Sequence, residues 1–235
     1  MEAIILAGGF GTRLKKLGLN IPKPMVEVGG RPFLEYLLLY LRYHGVERVI
    51  LSVGYKKEVI REHFGDLFRG MWIDYAEEEK PLGTGGGIRN AMGLCREDQV
   101  WVLNGDTFFE VDLPAMYAFH RNEKAMVTLA GKRMKQPGRY GLIEYNAQKQ
   151  ITGFREKDPA AVEGVINGGV YLLDRKGFLQ RTPEGPFSME HDFLEPYVAK
   201  EKFMLYLSDG YFIDIGIPED LEKARHDSIR FEKYA

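Results

Sequence analysis

The amino-acid sequence predicts an α/β fold in which helices cover a mixed, mostly parallel β-sheet. The first 76 residues alternate apolar runs and amphipathic segments in the order β-α-β-α-β, which is typical of parallel strands joined by helices. Apolar runs at 3–6 and 100–103 end in glycine-rich or Gly-Asp segments, where open α/β sheets bind ligands. A length of 235 residues suits one large domain and is short for two independent ones.

The first half of the chain supplies the parallel elements. Apolar and β-branched runs predict strands at 3–6, Arg48–Val53, 71–76 and 100–103. Apolar residues at helical spacing predict helices at 32–44, closed by Gly45, at Lys57–Phe64, and through residues 90–92 after the glycine run 83–87.

The second half of the chain changes to short strands. These are predicted at 127–132, 141–145, 150–154 and 168–173, and a hairpin at 203–206 and 211–214 is joined by Asp209-Gly210. Pro218 begins a final helix to about residue 232. Because no linker or repeat divides the sequence, residues 1–235 are predicted to form one domain, with halves of about 1–125 and 126–217 and a C-terminal helix at 218–235.

Composition and charge argue against several classes of protein. The hydrophobic content of 45% and charged content of 28% are ordinary for a globular chain, and the net charge of −2 argues against a nucleic-acid partner. Cys95 is the only cysteine and is expected to be buried, with no catalytic part. No apolar stretch approaches the roughly 20 residues that span a bilayer, and no signal peptide is evident, which favours a cytoplasmic location without a membrane partner.

The run Leu-Ala-Gly-Gly-Phe-Gly-Thr-Arg-Leu at 6–14 follows the first predicted strand, and Lys23 follows nine residues later. Glycines at a strand end expose backbone N–H groups that suit an anion, and Arg13 and Lys23 supply cations for a polyphosphate. A dinucleotide-binding fingerprint is excluded because Leu14 replaces its third glycine, and a Walker loop because no Lys-Ser or Lys-Thr follows. The run predicts a nucleoside triphosphate site; a glycine-rich turn without a ligand is the alternative.

Two aspartates end predicted strands. Asp106 follows Asn104-Gly105, and Asp214 follows Tyr-Phe-Ile. Mg²⁺ prefers hard oxygen ligands, usually one or two protein carboxylates completed by phosphate oxygens and water. The pair therefore predicts a Mg²⁺ site beside the triphosphate, and the alternative role for each aspartate is a helix N-cap or a turn.

The paired motifs GGFGTRL at 8–14 and Pro-Lys-Pro at 22–24 resemble the signature of the sugar-1-phosphate nucleotidyltransferases. The resemblance extends from Ala3 to the helix after Asp214. It implies a Rossmann-like nucleotidyltransferase fold with a smaller inserted sugar-binding β region.

The same resemblance implies the site residues. The expected catalytic residues are Arg13, Lys23 and Lys157. The expected nucleotide-binding residues are Leu6, Ala7, Gly8, Gly9, Gly11, Thr12, Arg13, Lys23, Gly83, Thr84, Gly85 and Gly105. The expected sugar-phosphate-binding residues are Asn104, Gly141, Glu156, Lys157 and Asn167, while Asp106 and Asp214 hold Mg²⁺.

The implied reaction is in-line attack of a sugar 1-phosphate on the α-phosphorus of a triphosphate, with pyrophosphate leaving. The attacking phosphate is already anionic, so no general base is required, and the five histidines form no catalytic pattern. Arg13 is expected to hold the β- and γ-phosphates, Lys23 the α-phosphate and Lys157 the attacking phosphate.

The string Pro-Leu-Gly-Thr-Gly-Gly at 81–86 and the short chain resemble guanylyltransferases of the family that act on D-glycero-α-D-manno-heptose 1-phosphate. GTP and this sugar phosphate are the expected substrates, and GDP-heptose for capsule or lipopolysaccharide the expected product. Residues 188–190 and 192–193 match a region that often closes the sugar pocket, although Ser188 suits a helix N-cap equally well.

Other functions stay open at this point. A uridylyltransferase acting on an amino-sugar 1-phosphate, such as N-acetylmuramate 1-phosphate, shares the chain length and most of the glycines. A non-catalytic nucleotide-binding regulator would be expected to lack some of the charged site residues, which are all present. The C-terminal aromatic residues suit either a homodimer interface or the domain core.

Overall fold

A central sheet of ten strands organises the residues that the structure, a computed structural model, describes: 1–9, 21–155 and 157–235. The strands are β1 (Glu2–Leu6), β2 (Glu27–Val28), β3 (Arg31–Pro32), β4 (Arg48–Val53), β5 (Leu67–Phe68), β6 (Met71–Glu77), β7 (Gln99–Asn104), β8 (Thr107–Phe109), β9 (Val127–Lys135), β10 (Leu142–Tyr145), β11 (Ile151–Arg155), β12 (Glu163–Asp174), β13 (Phe203–Leu207) and β14 (Phe212–Asp214). The helices are α1 (Phe33–Tyr43), α2 (Lys57–Phe64), α3 (Gly83–Met92), α4 (Leu113–Glu123), α5 (Arg175–Arg181), α6 (Glu195–Tyr197) and α7 (Pro218–His226).

The parallel part of the sheet has the strand order β7-β1-β4-β6. Ile4 on β1 lies opposite Ile50 on β4 and Val102 on β7, so buried apolar side chains line up across the sheet. Residues of β1 alternate between two cores, one shared with α1 and the other with α3. Burial on both faces explains the continuous apolar runs that predicted these strands, and it confirms the α/β fold class.

The strand β12 joins the parallel part of the sheet to the second half of the chain. Its C-terminal part runs antiparallel to β7, with Tyr171 opposite Val102, and its N-terminal part pairs with β9 and β10. β10 continues to β11, and β13 lies parallel to β9 at the other side. The inserted β region is therefore part of the same sheet as the nucleotide-binding half.

The predicted hairpin of 203–206 with 211–214 is wrong. β13 pairs with β9, whereas β14 pairs with β8 and places Asp214 opposite Thr107. The intervening turn is attached elsewhere, because Lys132 Nζ donates to the carbonyl oxygens of Asp209 and Gly210 at 2.7 Å. A Cβ on Gly210 would lie 2.1 Å from the Glu110 oxygen, so the turn packs directly on the chain that follows β8.

The glycine run 83–87 lies inside α3, whereas the sequence predicted it ahead of the helix. Close packing explains the glycines: a Cβ on Gly85 would lie 2.2 Å from the Phe187 ring, and one on Gly86 would lie 2.5 Å from the Gly185 oxygen. The missing side chains let the first turns of α3 contact residues 185–187 in the second half of the chain.

The C-terminal segment packs into the core of its own chain. α7 ends at His226, earlier than predicted, and two 3₁₀ turns follow, at Ser228–Arg230 and Glu232–Tyr234. Phe231 is fully buried, with its ring centroid 4.7 Å from that of Phe108 and 4.9 Å from that of Tyr36. The sequence left two alternatives for the C-terminal aromatic residues, a homodimer interface and the domain core. For Phe231 and Tyr234 the structure confirms the core.

Two helices had no clear signal in the sequence. α4 is capped by Asp112, whose Oδ1 accepts a hydrogen bond from Ala115 N, and α5 is capped by Asp174 in the same way. Cys95 is buried as predicted, and burial raises the pKa of its thiol to about 12. Within the described ranges, no helix combines the length and apolar character needed to cross a membrane.

Candidate active site

A cleft of about 510 Å³ opens at the carboxyl ends of the parallel strands. Chain segments that follow β1, β4, β6 and β7 contribute to its wall. The residues lining it are Leu6, Gly8, Gly9, Lys23, Pro24, Gly54, Tyr55, Glu78, Glu79, Lys80, Pro81, Gly83, Thr84, Asn104, Gly105 and Asp106. Three motifs that are far apart in the sequence, the glycine-rich loop, the second glycine run and the Gly-Asp pair, thus meet at one cleft, as the sequence predicted.

The beginning of the glycine-rich loop lies on the floor of this cleft. Leu6, Gly8 and Gly9 line it, whereas Ala7 is buried beneath and donates its backbone N–H to the Ser52 oxygen at 2.8 Å. The predicted residues Gly11, Thr12 and Arg13 lie outside the described residues.

Gly105 is placed by contact with the neighbouring strand end. Its N–H donates to the Leu6 oxygen at 3.0 Å, and a Cβ there would lie 2.3 Å from that oxygen. Glycine therefore lets the end of β7 cross close to the end of β1, and this brings the next residue, Asp106, beside the loop.

Lys23 lies between the two predicted metal ligands. Its Nζ is 2.5 Å from Asp106 Oδ2 and 3.9 Å from Asp214 Oδ1. Lys23 begins a 3₁₀ turn, Lys23–Met25, in which Pro24 and Met25 are buried, so the lysine is fixed at its base. Asp214 reaches the same point because β14 pairs with β8, which directly follows Asp106.

Local hydrogen bonds orient both aspartates. Thr107 Oγ1 donates to Asp106 Oδ1 at 3.2 Å, and Gly216 N donates to Asp214 Oδ1 at 2.8 Å. Burial raises the pKa of Asp214 and the nearby Asp106 carboxylate raises it further, while the Lys23 ammonium opposes the rise. Two carboxylates held close together in a partly buried place favour the binding of cations beside them.

The donor set suits a hard divalent cation. Both carboxylates already interact with one ammonium group, and carboxylate oxygens are the protein ligands that Mg²⁺ prefers. The described part of the chain contains no cluster of three or more His, Cys, Asp or Glu side chains suited to a metal. Two protein carboxylates completed by substrate phosphate and water is the usual arrangement for Mg²⁺.

At the opposite side of the cleft, Gly83 and Thr84 line the wall at the start of α3. Thr84 Oγ1 accepts from Met189 N at 2.8 Å and donates to Glu190 Oε2 at 3.0 Å, which ties this wall to the second half of the chain. Gly85 does not line the cleft, because its N–H donates to the Phe187 oxygen at 3.0 Å. Ser188 caps a π-helical segment, Met189–Leu194, by accepting from His191 N.

The predicted sugar-side residues lie along the strands beyond β7. Asn104 lines the cleft and packs against Gly169, where a Cβ would lie 2.8 Å from Asn104 Nδ2. Asn167 Oδ1 accepts from Gly169 N at 2.9 Å, and its Nδ2 donates to the Tyr171 hydroxyl at 2.7 Å. Asn104 and Asn167 therefore contact the same short segment of β12.

Gly141 and Lys157 lie at the ends of β10 and β11. Gly141 precedes β10, next to Tyr140, whose ring packs 5.8 Å from that of Phe212 on β14. Lys157 is exposed just after β11, and Glu156 lies outside the described residues. The structure thus brings the Gly141 segment to the strand that carries Asp214.

Sequence reasoning missed Glu78 and Arg139. Glu78 lines the cleft and is held by Ser52 Oγ at 2.9 Å and Leu82 N at 3.0 Å. Its position after a parallel strand was an available signal, but a Glu-Glu-Lys run resembles an ordinary solvated surface. Arg139 forms an ion pair with Asp220 of α7, and its charge opposes the rise in the pKa of Asp214 that burial causes. No local sequence pattern indicates this contact.

Comparison with known proteins agrees with this geometry. The family described as "Nucleotidyl transferase" matches residues 2–230. The chain belongs to this family. Such a nucleotidyl transferase is expected to bring a triphosphate and a second substrate together at the carboxyl end of its sheet, where the cleft lies.

Similar nucleotidyl transferases match the chain over nearly its whole length. It is 45% identical to a D-glycero-alpha-D-manno-heptose 1-phosphate guanylyltransferase of Aneurinibacillus thermoaerophilus, covering 97% of this chain and 98% of the relative. A protein of the same description from Campylobacter jejuni is 43% identical, covering 94% and 96%. The crystal structure of HddC from Yersinia pseudotuberculosis complexed with GMP-PN is 37% identical, has a TM-score of 0.85, and covers 97% and 99%. The fold and the family that the sequence predicted are therefore confirmed.

Proposed function

We propose that this nucleotidyl transferase transfers GMP from GTP to D-glycero-α-D-manno-heptose 1-phosphate, giving GDP-heptose and pyrophosphate. The observation that carries the chemistry is the meeting of Lys23, Asp106 and Asp214 beside a cleft lined by Gly8 and Gly9 at the start of the glycine-rich run. The choice of substrates is supported by the full-length similarity to proteins described as heptose 1-phosphate guanylyltransferases.

The chain's own residues lower the repulsion between two anionic substrates. Lys23 places an ammonium group where the α-phosphate is expected, and Gly8 and Gly9 line the same cleft. Arg13 is proposed for the β- and γ-phosphates, and the exposed Lys157 for the incoming sugar phosphate. The attacking oxygen forms its bond to the α-phosphorus as the bond to the pyrophosphate oxygen breaks, so no proton has to be removed by the protein.

Asp106 and Asp214 are proposed to hold Mg²⁺. When bound, the ion supplies positive charge that stabilises the phosphoryl oxygens in the transition state. The two carboxylates then have two tasks: they bind the ion, and they keep Lys23 oriented toward the cleft through the contacts described above.

Guanine is favoured by the carboxylates in the cleft wall. Glu78 and Glu79 line the cleft, and Glu78 Oε2 accepts from Leu82 N just before α3. Guanine presents two adjacent N–H donors, at N1 and N2, whereas uracil presents one donor between two carbonyl oxygens. A carboxylate therefore accepts two hydrogen bonds from guanine and repels a carbonyl of uracil.

A cytoplasmic enzyme that supplies GDP-heptose for capsule or lipopolysaccharide follows from this proposal. It places the enzyme where nucleoside triphosphates are available. A homodimer stays a prediction.

Pyrophosphate release tests the proposed function. The purified protein is incubated with Mg²⁺, each of the five common nucleoside triphosphates, and heptose, mannose or N-acetylmuramate 1-phosphate. Turnover restricted to GTP with heptose 1-phosphate is expected, and Asp106→Ala is expected to abolish it while the fold is retained. Turnover with UTP and an amino-sugar phosphate would contradict the proposed nucleobase and sugar. Binding of a triphosphate without turnover would favour the non-catalytic regulator.

A further inference from the structure

A second cavity, of about 450 Å³, lies at the opposite end of the sheet from the cleft. Gln99, the first residue of β7, lines this cavity, whereas Asn104, the last residue of β7, lines the cleft. Asp174, the last residue of β12, lies beside Gln99. The cavity is nearly as large as the cleft and falls in the size range of small-molecule sites.

The floor of this cavity is a connected hydrogen-bond network. His120 is buried, with Nδ1 2.8 Å from Thr128 Oγ1 and Nε2 2.6 Å from Gln99 Oε1. Gln99 Nε2 in turn donates to Asp174 Oδ2 at 3.1 Å. These contacts hold the floor in place, and the Asp174 carboxylate already accepts a hydrogen bond from Gln99.

The rim of the cavity carries an excess of positive charge. Its cations are Arg121, Lys124, Lys176 and Arg181, and its acids are Asp174 and Glu201. Arg181 Nε is paired with Glu201 Oε1 at 2.5 Å, and Asp174 accepts from Gly177 N as well as from Gln99. Within residues 1–9, 21–155 and 157–235, Arg121, Lys124 and Lys176 have no acidic partner within ion-pair distance.

We propose that this cavity binds a phosphorylated small molecule through Arg121, Lys124 and Lys176. Phosphate suits the three cations because it carries close to two charges and offers acceptors in several directions to a guanidinium and two ammonium groups. The neutral floor is suited to the uncharged part of such a ligand, since burial lowers the pKa of His120 to about 4 and keeps the ring uncharged at neutral pH.

A fluorophore placed in the cavity reports binding there directly. Cys95 is buried and is the only native cysteine, so an introduced cysteine can be labelled selectively. Gln180→Cys places an environment-sensitive fluorophore on the rim, and Glu62→Cys on α2 serves as a label outside it. Both proteins are titrated with sodium pyrophosphate and with GDP in the absence of Mg²⁺.

The expected result is a saturable signal at position 180 with at least one of the two probes. Lys124→Glu combined with Lys176→Glu is expected to weaken that response at least about tenfold, because two attractions become repulsions. The matched charge reversal Lys135→Glu with Lys223→Glu, at exposed lysines outside the cavity, is expected to leave it unchanged. A response to pyrophosphate identifies a plain phosphate-group site, and a response to GDP alone identifies a site that also needs the nucleoside.

Two results overturn the proposal. The first is the absence of a saturable signal up to 10 mM of either probe. The basic side chains would then be ordinary solvated residues near the end of α4. The second is a signal that survives charge reversal on the rim but disappears with Lys23→Ala, since that would be binding in the cleft.

Discussion

Glu78 is the residue on which the proposed guanine specificity depends most directly. We expect Glu78→Gln to lower kcat/KM for GTP by about 10- to 100-fold, since one acceptor becomes a donor that faces the guanine N–H groups. Inosine triphosphate lacks the 2-amino group and should lose less. Steady-state kinetics with both nucleotides measures this as a fall in the GTP-to-ITP preference.

The control for this prediction is Glu62→Gln, which makes the same change at an exposed carboxylate on α2, outside the cleft. If Glu78→Gln slows both nucleotides equally, its contacts to Ser52 and Leu82 N are only structural and base reading lies elsewhere. If the wild-type protein does not use GTP at all, the proposed function itself is at fault.

Lys157→Ala tests the assignment of the sugar-phosphate cation. The side chain is exposed after β11, so its removal should not disturb the core. We expect KM for the sugar 1-phosphate to rise about tenfold or more, with KM for GTP nearly unchanged, because an ion pair to one substrate is lost. Lys149→Ala on the preceding turn is the matched control, and equal changes in both KM values would contradict the assignment.

At the residue scale, the sequence predicted those parts of the site that lie in local motifs. Lys23, Asp106 and Asp214 were identified, and the structure brings them together. Glu78 was missed because its role depends on where β6 ends, relative to β1 and α3. Arg139 was missed because its partner, Asp220, is distant in the sequence and meets it only in the folded chain.

At the element scale, the glycines of α3 are a packing device. We expect Gly86→Ala to destabilise the protein by about 1–3 kcal/mol, although alanine favours helices, because its Cβ would lie 2.5 Å from the Gly185 oxygen. Gly93→Ala, at the end of the same helix with φ −61°, should stay within about 0.5 kcal/mol of the wild type. Urea unfolding measures both, and equal stability of the two variants would refute the packing explanation.

The contact of α4 with β7 and β9 predicts a pH dependence of stability. Burial lowers the pKa of His120 from 6.5 in its ordinary state to about 4. Between these values the unfolded chain binds a proton that the folded chain does not, so the free energy of unfolding decreases as pH falls from 6.5 to 4. This effect changes the free energy of unfolding by at most about 3 kcal/mol. The stability that depends on the neutral His120 is fully present above pH 6.5 and is lost as the pH falls toward 4.

Unfolding measured from pH 7 to 4 checks this for the wild type and for His120→Gln. The variant should lose part of the pH dependence, and the exposed His226→Gln should retain it. Identical pH profiles for all three proteins would contradict the buried, neutral state of His120.

The predicted elements were correct where hydrophobic periodicity determines the bounds of an element. They were wrong where long-range pairing determines the partner of a strand. The bounds of β4 and α2 were predicted to the residue, because their apolar patterns match one period each. The hairpin of β13 and β14 was wrong because a turn signal cannot reveal that β9 and β8 compete for the two strands. Helices α4 and α5 were not predicted because their apolar stripes are short.

At the scale of the whole molecule, the shared strand β12 predicts a single cooperative unfolding transition. It pairs with β7 and β10 along one edge and with β9 along the other, so neither half keeps a complete sheet alone. Calorimetry should give a van't Hoff enthalpy equal to the calorimetric one, and amides of β7 and β9 should exchange with similar protection. Two resolved transitions would show that the halves fold separately.

The same strand also has a consequence for the evolution and engineering of this enzyme. Asn167, which is proposed to bind the sugar phosphate, and the residues opposite β7 belong to one continuous strand. The number of residues between them along β12 therefore sets the spacing between the proposed acceptor and nucleotide subsites. Strand β10 pairs with β12, and residues 149–150, just before β11, bond to β13. If these assignments hold, replacing β10 and β11 together with their contacts to β13 is expected to change acceptor preference, while β12 keeps the distance to the nucleotide constant.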